Sequence, residues 1–467
     1  MNIRVSTETK TRIGPLELNA NGLPSEQSVA ALFDELDFQR AVQAYLWGLP
    51  IVAFAVWQKA HEEVFGAGDG DVVFYDDFKA RKGILTANAT TPYFVAFFDT
   101  SRTGPMVIDF PAGELTGGAS DFWQRNITDV GMTGPDKGEG GKYLILGPGQ
   151  AAPDDAGCDH VAASPTFGVM FGFRVLQTDP SAAQSVMTSL RLYPLAERSA
   201  PPGLRVVTPR DAEWSGTQPR GMAYWKALSD VLHREPVQER DRYFMAMLRP
   251  LCIEKDRLFL PDARQSRALT DGAFIGQKIA IANSFHKRFA GAAYGSGTHW
   301  DHALCADPSQ EAEYYSELDE RSAWFYEAVG LSAGMASRTP GVGQAYLGAY
   351  RDRNGDWFDG GAAYRLRIPP DPPATQFWSV TLYDVATRRF IDTREQRPDR
   401  SSRQALARNA DGSVDLYFSP SPSPQHPESN WIPTVQGRGW FAYLRLYGPT
   451  ETYMDETWPL PDIEPVG

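Results

Sequence analysis

The chain has 467 residues, which is too long for a single hydrophobic core, so we expect two or three domains. Its formal net charge of −13, without any Lys/Arg block, argues against a nucleic-acid partner. An aromatic share of 12 %, with 42 Gly and 35 Pro, is typical of β-rich folds, in which rings pack on pleated faces and turns are frequent.

The cysteines and the N-terminus bear on the compartment. Cys158, Cys252 and Cys305 lie far apart and show no metal-binding spacing, which indicates unpaired thiols in a reducing environment. The N-terminus lacks an apolar leader segment, and the apolar run over residues 41–57 is shorter than the ~20 residues of a membrane helix. We therefore expect a cytoplasmic protein without a membrane partner; a secretion signal trimmed from the chain is the alternative.

The first predicted elements are an N-terminal arm and a helix, within residues 1–71. Apolar residues recur at helical spacing over 34–49, and Pro50 should end or kink that helix. From residue 72 the period changes to two, which predicts a first β domain over 72–178. Its strand candidates are 93–98, 106–110, 122–128, 142–146 and 167–176.

Residues 179–345 are predicted to form a helical module, and the β pattern returns over 346–467. The helix candidates are 181–195, 221–233, 240–251, 263–290 and 309–335. The strand candidates of the second β domain are 377–384, 411–420 and 440–449, each an alternating run that ends at turn residues. The predicted fold is thus mainly β with an α-helical module, with two β domains of the sandwich or barrel type flanking or joined by the helices.

A polar segment before the first predicted strand is the first candidate site. Asn88 and Tyr93 lie at the mouth of that strand and could hydrogen-bond a polar ligand. The alternative is that such side chains only satisfy the backbone of the local turn.

A charged group in the first β domain is the second candidate. Trp123, Arg125, Asp129, Lys142 and Tyr143 lie on neighbouring predicted strands, where charged side chains could activate water or hold an anion. The alternative is a salt bridge on the exposed face of a sandwich.

Two further groups are weaker candidates. His299 and His302 could share a helix face and hold a metal with Asp301, but no spacing fixes a third ligand and the preceding glycines indicate a loop. We therefore predict no metal and no cofactor. Arg445 shares a strand face with Phe441, Tyr443 and Tyr447, which suits either cation–π packing or an anchor for a ligand carboxylate.

Familiar catalytic motifs are missing: the sequence contains no G-x-S-x-G, H-E-x-x-H or EF-hand pattern. The members of a catalytic triad need not be neighbours in sequence, so spacing leaves a triad open.

Several short motifs are spread along most of the chain: Gly48-Leu-Pro50, Thr86-x-Asn88 with Tyr93, Tyr143-Leu-Ile-Leu-Gly-Pro-Gly149, Arg191-Leu-Tyr-Pro-Leu195, Phe377-Trp-Ser-Val-Thr-Leu-Tyr-Asp384, Asn430-Trp-Ile-Pro433 and Arg445-Leu-Tyr-Gly-Pro449. In these motifs the chain resembles a bacterial family of proteins of unassigned function that pair a DUF1254 with a DUF1214 region. Ala87 and Thr90 depart from the usual Pro and Asp of the first region, so this chain lacks the acidic residue there. The resemblance implies two jelly-roll-like β-sandwich domains, the first DUF1254-like and the second DUF1214-like, with a helical insertion. It also implies self-association. It implies no reaction.

Our leading functional hypothesis is a small-molecule enzyme, most simply a hydrolase, with a cleft near the first β domain and the helical module. Asp129, Lys142 and Tyr143 are the predicted catalytic residues. The predicted substrate-binding residues are Asn88, Tyr93, Trp123, Arg125, Trp378, Tyr383 and Arg445.

Two other hypotheses use the aromatic residues of the second β domain. In one, Trp378, Tyr383, Tyr443 and Tyr447 form an aromatic face that binds carbohydrate or another small ligand. In the other, the protein is structural and the same surface is an oligomer interface. A homo-oligomer and a small-molecule ligand are the partners we expect.

Overall fold

The computed structural model describes residues 7–209 and 212–466 of the chain. The backbone forms two compact units. One comprises Met1–Val52 with Gln218–Ala280 and is mainly helical; the other comprises Ala53–Thr217 with Ile281–Gly467 and contains both β domains.

The strands of the described residues are numbered in chain order. They are β1 Thr7–Thr11, β2 Gly14–Leu18, β3 Val72–Tyr75, β4 Tyr93–Asp99, β5 Met106–Phe110, β6 Leu115–Asp121, β7 Asn126–Gly131, β8 Gly141–Leu146, β9 His160–Ala163, β10 Gly168–Val175, β11 Arg191–Pro194, β12 Val206–Val207, β13 Trp300–His302, β14 Gln344–Ala349, β15 Tyr364–Ile368, β16 Ala374–Asp384, β17 Asp399–Ser401, β18 Val414–Ser419, β19 Trp431–Pro433, β20 Trp440–Pro449 and β21 Glu464–Pro465.

The α-helices of the same residues are numbered separately. They are α1 Glu26–Lys59, α2 Phe78–Arg81, α3 Thr100–Thr103, α4 Pro180–Ser189, α5 Met222–Arg234, α6 Arg242–Leu248, α7 Ala263–Phe285, α8 Leu318–Glu327 and α9 Glu451–Met454.

Helix α1 is longer than the sequence predicts. The Ser25 hydroxyl accepts the N–H of Ser28 at 3.3 Å and caps its start. The helix continues through Pro50, where we expected an end or a kink. Leu49 and Ile51 on either side are fully buried, and this packing offsets the ~3 kcal/mol that an interior proline costs.

Helix α1 also bears on membrane contact. Glu26–Val64 is long and apolar enough to cross a membrane, although 83 % of its most apolar window is buried within the protein, as expected of a core helix. That no membrane is involved therefore stays a prediction.

Each β domain has its core between two sheets. In the first, the six-stranded order β12-β3-β4-β10-β6-β7 faces the four-stranded order β11-β5-β8-β9, with Phe94, Ile108 and Phe171 among the buried residues between them. In the second, the order β13-β14-β20-β16-β17 faces β19-β18-β15-β21, with Trp378, Leu416 and Leu444 in the core. The predicted class, mainly β with a helical module, is confirmed; the jelly-roll topology and the domain limits stay predictions.

Two predicted elements differ from the structure. Residues 122–125 form a tight turn rather than a strand, because the Asp121 carboxylate accepts the N–H groups of Trp123 and Arg125 and Gln124 has φ of 62°. Within 309–335 only α8 is an α-helix; the flanking residues form loops and a short 3₁₀ turn at Ala333–Met335.

Candidate functional site

The polar cluster of interest lies on the face of the five-stranded sheet that points away from the second core. Alternation along β16 and β20 places Tyr383, Tyr443, Arg445 and Tyr447 on this face. The first β domain packs against this face, and one contact between the two is the hydrogen bond that the Tyr383 hydroxyl donates to the Ala87 carbonyl at 2.6 Å. Residues of the two β domains therefore meet in one buried cluster.

The centre of the cluster is Arg445, which is 2 % exposed. Its guanidinium donates from Nη1 to the Tyr383 hydroxyl at 2.6 Å and from Nη2 to the Thr86 carbonyl at 2.6 Å. Its Nε has no hydrogen-bond partner among the described residues. Burial alone would lower the pKa of Arg445. The neighbouring hydroxyls of Tyr383 and Tyr447 have the larger effect, so the pKa of Arg445 is raised. The cluster thus contains a permanent buried positive charge.

Asn88 holds the facing turn in place. Its Nδ2 group donates to the Thr91 hydroxyl at 2.8 Å and also to the Tyr447 hydroxyl. Its backbone N–H donates to the Tyr93 hydroxyl at 2.7 Å. These contacts fit both interpretations of Asn88. Its side chain satisfies the local turn, and its backbone N–H fixes the hydroxyl oxygen of Tyr93.

Tyr93 faces a second arginine. The Arg174 guanidinium carbon lies 5.0 Å from the centre of the Tyr93 ring, and Arg174 Nη1 donates to Gln344 Oε1 at 2.6 Å. Burial alone would raise the pKa of Tyr93, but the charges of Arg174 and Arg445 overcome it, so the pKa is lowered. A phenol whose anion is stabilised in this way is suited to proton transfer.

The two groups open onto a small cavity. The cavity measures about 80 Å³ and is lined by Tyr93 and Arg174 together with apolar side chains such as Trp57, Phe173 and Leu331. A neighbouring space of about 40 Å³ shares several of these residues and reaches Arg445. Apolar walls with a few convergent polar groups are the usual composition of a small-molecule site.

A buried carboxyl group also belongs to the cluster, because it accepts a hydrogen bond from Tyr443. Glu327, at the C-terminal end of α8, accepts the Tyr350 hydroxyl at 2.9 Å and also the Tyr443 hydroxyl. Burial is the main cause that raises its pKa to about 7, and the partial negative charge at the end of a helix acts in the same direction. Glu327 therefore changes charge near neutral pH.

The sequence analysis missed Arg174 and Glu327. Each is a charged residue inside an apolar run, Phe-Gly-Phe-Arg174-Val and Ala-Trp-Phe-Tyr-Glu327-Ala-Val. A charge is seldom buried without a partner. A charged residue within an apolar run is therefore the sequence signal by which both residues could have been found.

The predicted catalytic residues do not converge. Asp129 is buried and accepts the backbone N–H groups of Ala333 and Gly334 at 3.1 and 2.8 Å. It thus fixes the short turn that carries Met335, a residue that lines the cavity. Burial raises the pKa of Asp129.

Lys142 and Tyr143 are neighbours on β8 and point to opposite faces of their sheet. Lys142 Nζ lies 3.8 Å from Asp109 on the half-exposed face, which matches the surface ion pair considered as the alternative. Tyr143 is buried in the core and its hydroxyl donates to Asp136 at 2.5 Å. The roles predicted for this trio remain predictions, but no shared reaction centre lies among the three groups.

Five of the seven predicted binding residues line neither the cavity nor the neighbouring space. Asn88 and Tyr383 belong to the Arg445 cluster, and the other three lie elsewhere. The Trp123 carbonyl accepts from Gln310 at 3.0 Å, and Arg125 pairs with Glu311 at 2.8 Å, so both tie a turn to a neighbouring loop. Trp378 lies in the second core, on the opposite face from Tyr383, since residues an odd number apart on a strand point in opposite directions.

The aromatic face proposed for carbohydrate is not a surface. Trp378, Tyr383, Tyr443 and Tyr447 are all at most 4 % exposed, so none of the four rings is open to a saccharide or to a second copy. That hypothesis must be corrected, because the first β domain covers the strand face that carries the three tyrosines.

The two histidines considered as metal ligands have separate partners. His299 Nδ1 lies 2.8 Å from Asp462, and His302 Nε2 lies 3.1 Å from Glu456. No group of three or more His, Cys, Asp and Glu suited to a metal ion occurs among residues 7–209 and 212–466.

Comparisons with known proteins agree with the two-region organisation. The family model DUF1254, for proteins of unknown function, matches residues 72–194, and DUF1214, likewise of unknown function, matches residues 343–451. Tyr93 and Arg174 lie in the first region, and Tyr383 and Arg445 lie in the second. No curated protein matches the sequence.

One solved structure shows the same fold. The crystal structure of the VPA0106 protein from Vibrio parahaemolyticus aligns with a TM-score of 0.58 and 16 % identity, covering 92 % of this chain and all of that one. An uncharacterized protein from Burkholderia cenocepacia aligns with a TM-score of 0.43 and 12 % identity over 94 % of this chain and 96 % of that one, which carries no argument. At these identities the first match informs on the fold alone.

Glu327 should make stability depend on pH. Its pKa of about 7 in the folded state exceeds the 4.5 of an ordinary glutamate, so the stability it contributes is present below pH 4.5 and is lost as the pH rises through 7. At about 1.4 kcal/mol per pKa unit, the loss is on the order of 3 kcal/mol. In Glu327→Gln, the free energy of unfolding should lose this slope, as measured by urea denaturation at pH 5 and pH 8.

The matched control is Glu313→Gln, because Glu313 is exposed and should leave the slope unchanged. An unaltered pH dependence in Glu327→Gln would show that Glu327 is already charged at pH 5.

Proposed function

Because this chain belongs to the family that joins a DUF1254 region to a DUF1214 region, we propose that its function resides where residues of the two regions meet, in the cavity beside Tyr93 and Arg174. The proposed function is enzymatic: the chain transforms a small molecule that has an apolar body and a carbonyl or acidic group. The apolar walls suit the body of such a molecule, and the guanidinium of Arg174 suits its oxygen atoms.

One observation supports catalysis rather than binding alone. Tyr93 has a lowered pKa because the guanidinium groups of Arg174 and Arg445 outweigh the effect of burial. A binding site needs no such poised phenol, whereas a general base or acid does. In this proposal Tyr93 transfers the proton, and Arg174 anchors the substrate and stabilises negative charge that develops on it.

Hydrolysis is the reaction class that we favour. The Tyr93 phenolate would take a proton from a water molecule as the water oxygen attacks a carbonyl carbon. Arg174 would stabilise the resulting oxyanion, and the phenol would return its proton to the leaving group. A ligand-binding role without turnover is the alternative, supported by the same apolar walls.

The two sets of candidate residues predict different mutant phenotypes. Tyr93→Phe removes the phenol while keeping the ring, and should lower turnover of a substrate found by screening esters and amides by ~100-fold or more. Arg174→Gln should weaken turnover as well and raise KM. Lys142→Ala should leave turnover unchanged, because its side chain pairs with Asp109 on the half-exposed face and lines neither the cavity nor the neighbouring space.

Thermal unfolding of each variant separates loss of chemistry from loss of fold. Full turnover in Tyr93→Phe combined with loss in Lys142→Ala would refute the assignment in favour of the charged group on β8. Saturable ligand binding without any turnover would favour the binding role.

We also propose that the protein self-associates through its helical unit. Several large apolar side chains there are exposed, including Tyr243 at 70 %, Leu258 at 77 % and Leu260 at 74 %. Exposed apolar groups concentrated on one part of a protein are typical of an interface. A second copy is the partner we expect; we further propose a cytoplasmic location, with no nucleic acid or membrane involved.

Native mass spectrometry tests self-association. The unmodified protein should form an oligomer, and the double variant Leu258→Ser, Leu260→Ser should shift it toward the monomer, since each change removes apolar area from the interface. Trp357→Ser, at a residue that is 53 % exposed in the other unit, is the control. A monomer for the unmodified protein would contradict the proposal.

A further inference from the structure

A second, larger cleft lies apart from the Tyr93 cavity. It measures about 550 Å³ and is lined by the edge strand β13, the following loop, helix α9 and the turn after α9. Only Met335, Gln344 and Tyr346 line both this cleft and one of the spaces beside Tyr93. The titratable groups described next belong to the cleft alone.

Three side chains of the cleft form a continuous hydrogen-bonded series. Glu456 Oε1 lies 3.1 Å from His302 Nε2, and His302 Nδ1 lies 3.0 Å from the Tyr453 hydroxyl. A carboxylate can only accept, so Nε2 carries the ring proton and Nδ1 accepts the proton of the phenol. The order carboxylate, imidazole, hydroxyl is that of a catalytic triad with tyrosine as the hydroxyl group.

Glu456 is held firmly in its place. Its second oxygen accepts the backbone N–H of Gly295 at 2.9 Å, and its φ of 52° lies in the left-handed region, which non-glycine residues seldom adopt. Glu456 directly follows the C-cap of α9, a position where helices commonly end in this conformation. Although burial works against it, the N–H of Gly295 and His302 lower the pKa of Glu456, so this group stays a carboxylate.

The nearby thiol is not a competing nucleophile. Cys305 also lines the cleft, but its thiol donates to the His302 carbonyl at 3.2 Å rather than to the imidazole. Burial is the main cause that raises the pKa of Cys305 to about 11, so it stays protonated. Tyr453 also stays protonated at rest, because burial raises its pKa. A triad hydroxyl ionises only during attack, when its proton moves to the imidazole.

We propose that this cleft is a second reactive site, in which Tyr453 is the nucleophile for acyl transfer from a small ester, His302 is its general base and Glu456 orients the imidazole. Arg338 also lines the cleft, and no acidic side chain pairs with it among residues 7–209 and 212–466. An ester that carries a carboxylate group therefore suits the site best.

The proposed step balances as follows. Tyr453 Oη attacks the ester carbonyl carbon while its proton passes to His302 Nδ1, and Glu456 stabilises the imidazolium. The bond between the carbonyl carbon and the alkoxy oxygen breaks, and His302 returns the proton to the departing alcohol. Water then hydrolyses the acyl-tyrosine with His302 as base, which releases the carboxylic acid and regenerates the phenol.

The test uses p-nitrophenyl acetate as the probe and peptide mass spectrometry to map the acetyl group. The full-length protein should acquire one acetyl group on Tyr453, and p-nitrophenolate should be released with it. His302→Gln should slow the acetylation at least about tenfold, because it removes the general base. Glu456→Gln should slow it as well, and Tyr453→Phe should abolish the adduct.

Two controls isolate the site. Tyr315→Phe removes a tyrosine that is 62 % exposed and should change nothing at Tyr453. Tyr93→Phe should still acquire the acetyl group on Tyr453. The result at this cleft is therefore independent of whether the proposed function of Tyr93 is correct. If the unmodified protein is acetylated on exposed lysines and tyrosines but not on Tyr453, the proposal is overturned. This outcome does not depend on whether any variant folds. Equal rates in His302→Gln and the unmodified protein would overturn it too.

Discussion

The structure of the joint between the β domains depends on a buried positive charge. Arg445 is almost fully removed from water, and its guanidinium needs partners, because an uncompensated buried charge costs several kcal/mol. One partner, the Tyr383 hydroxyl, belongs to the same sheet, and the other, the Thr86 carbonyl, belongs to the first β domain. Apolar packing alone would tolerate sliding of one sheet on another. Directed hydrogen bonds to a charge fix the orientation, and with it the position of Asn88 and Tyr93.

The same charge has a chemical consequence. Arg445 and Arg174 both lie near Tyr93, and at low local dielectric their effect on the phenol is stronger than it would be in water. The interaction that joins the two β domains therefore also lowers the pKa of a phenol beside a cavity, which is the group that transfers the proton in the proposed function. Glu327 and its tyrosine partners extend the network on the far side, so the cluster combines groups that are permanently charged with one that titrates near neutrality. The His302 cleft uses different residues, which allows the two centres to be tested separately.

The sequence was sufficient for the fold class, because alternation in Phe377–Asp384 and Trp440–Pro449 identifies these runs as strands. It did not show that both faces of the two strands are buried. It also indicated Asn88, Tyr93, Tyr383 and Arg445, which the structure brings together. Alternation along Phe377–Asp384 alone places Trp378 and Tyr383 on opposite faces, so the sequence itself argued against one aromatic face that contains both. Arg174 and the Glu456–His302–Tyr453 series were not recognised, since their partners are 81 to 170 residues away in the chain and only the tertiary fold brings them close. The role of Lys142 stays a prediction, and the sequence could not decide between its two interpretations, because a charge on the half-exposed face of a strand has the same local pattern as a charge in a cleft.

The lowering of the Tyr93 pKa by the arginine charges can be tested directly, without a substrate. Tyrosine labelled with ¹³C at the ring carbon that bears the hydroxyl reports ionisation of each phenol by NMR as the pH is raised. We predict that Tyr93, assigned by comparison with Tyr93→Phe, ionises below the ordinary pKa of about 10, and that its pKa rises in Arg174→Gln. A Tyr93 that titrates above 10 in the unmodified protein, or one that is indifferent to Arg174→Gln, would contradict the account.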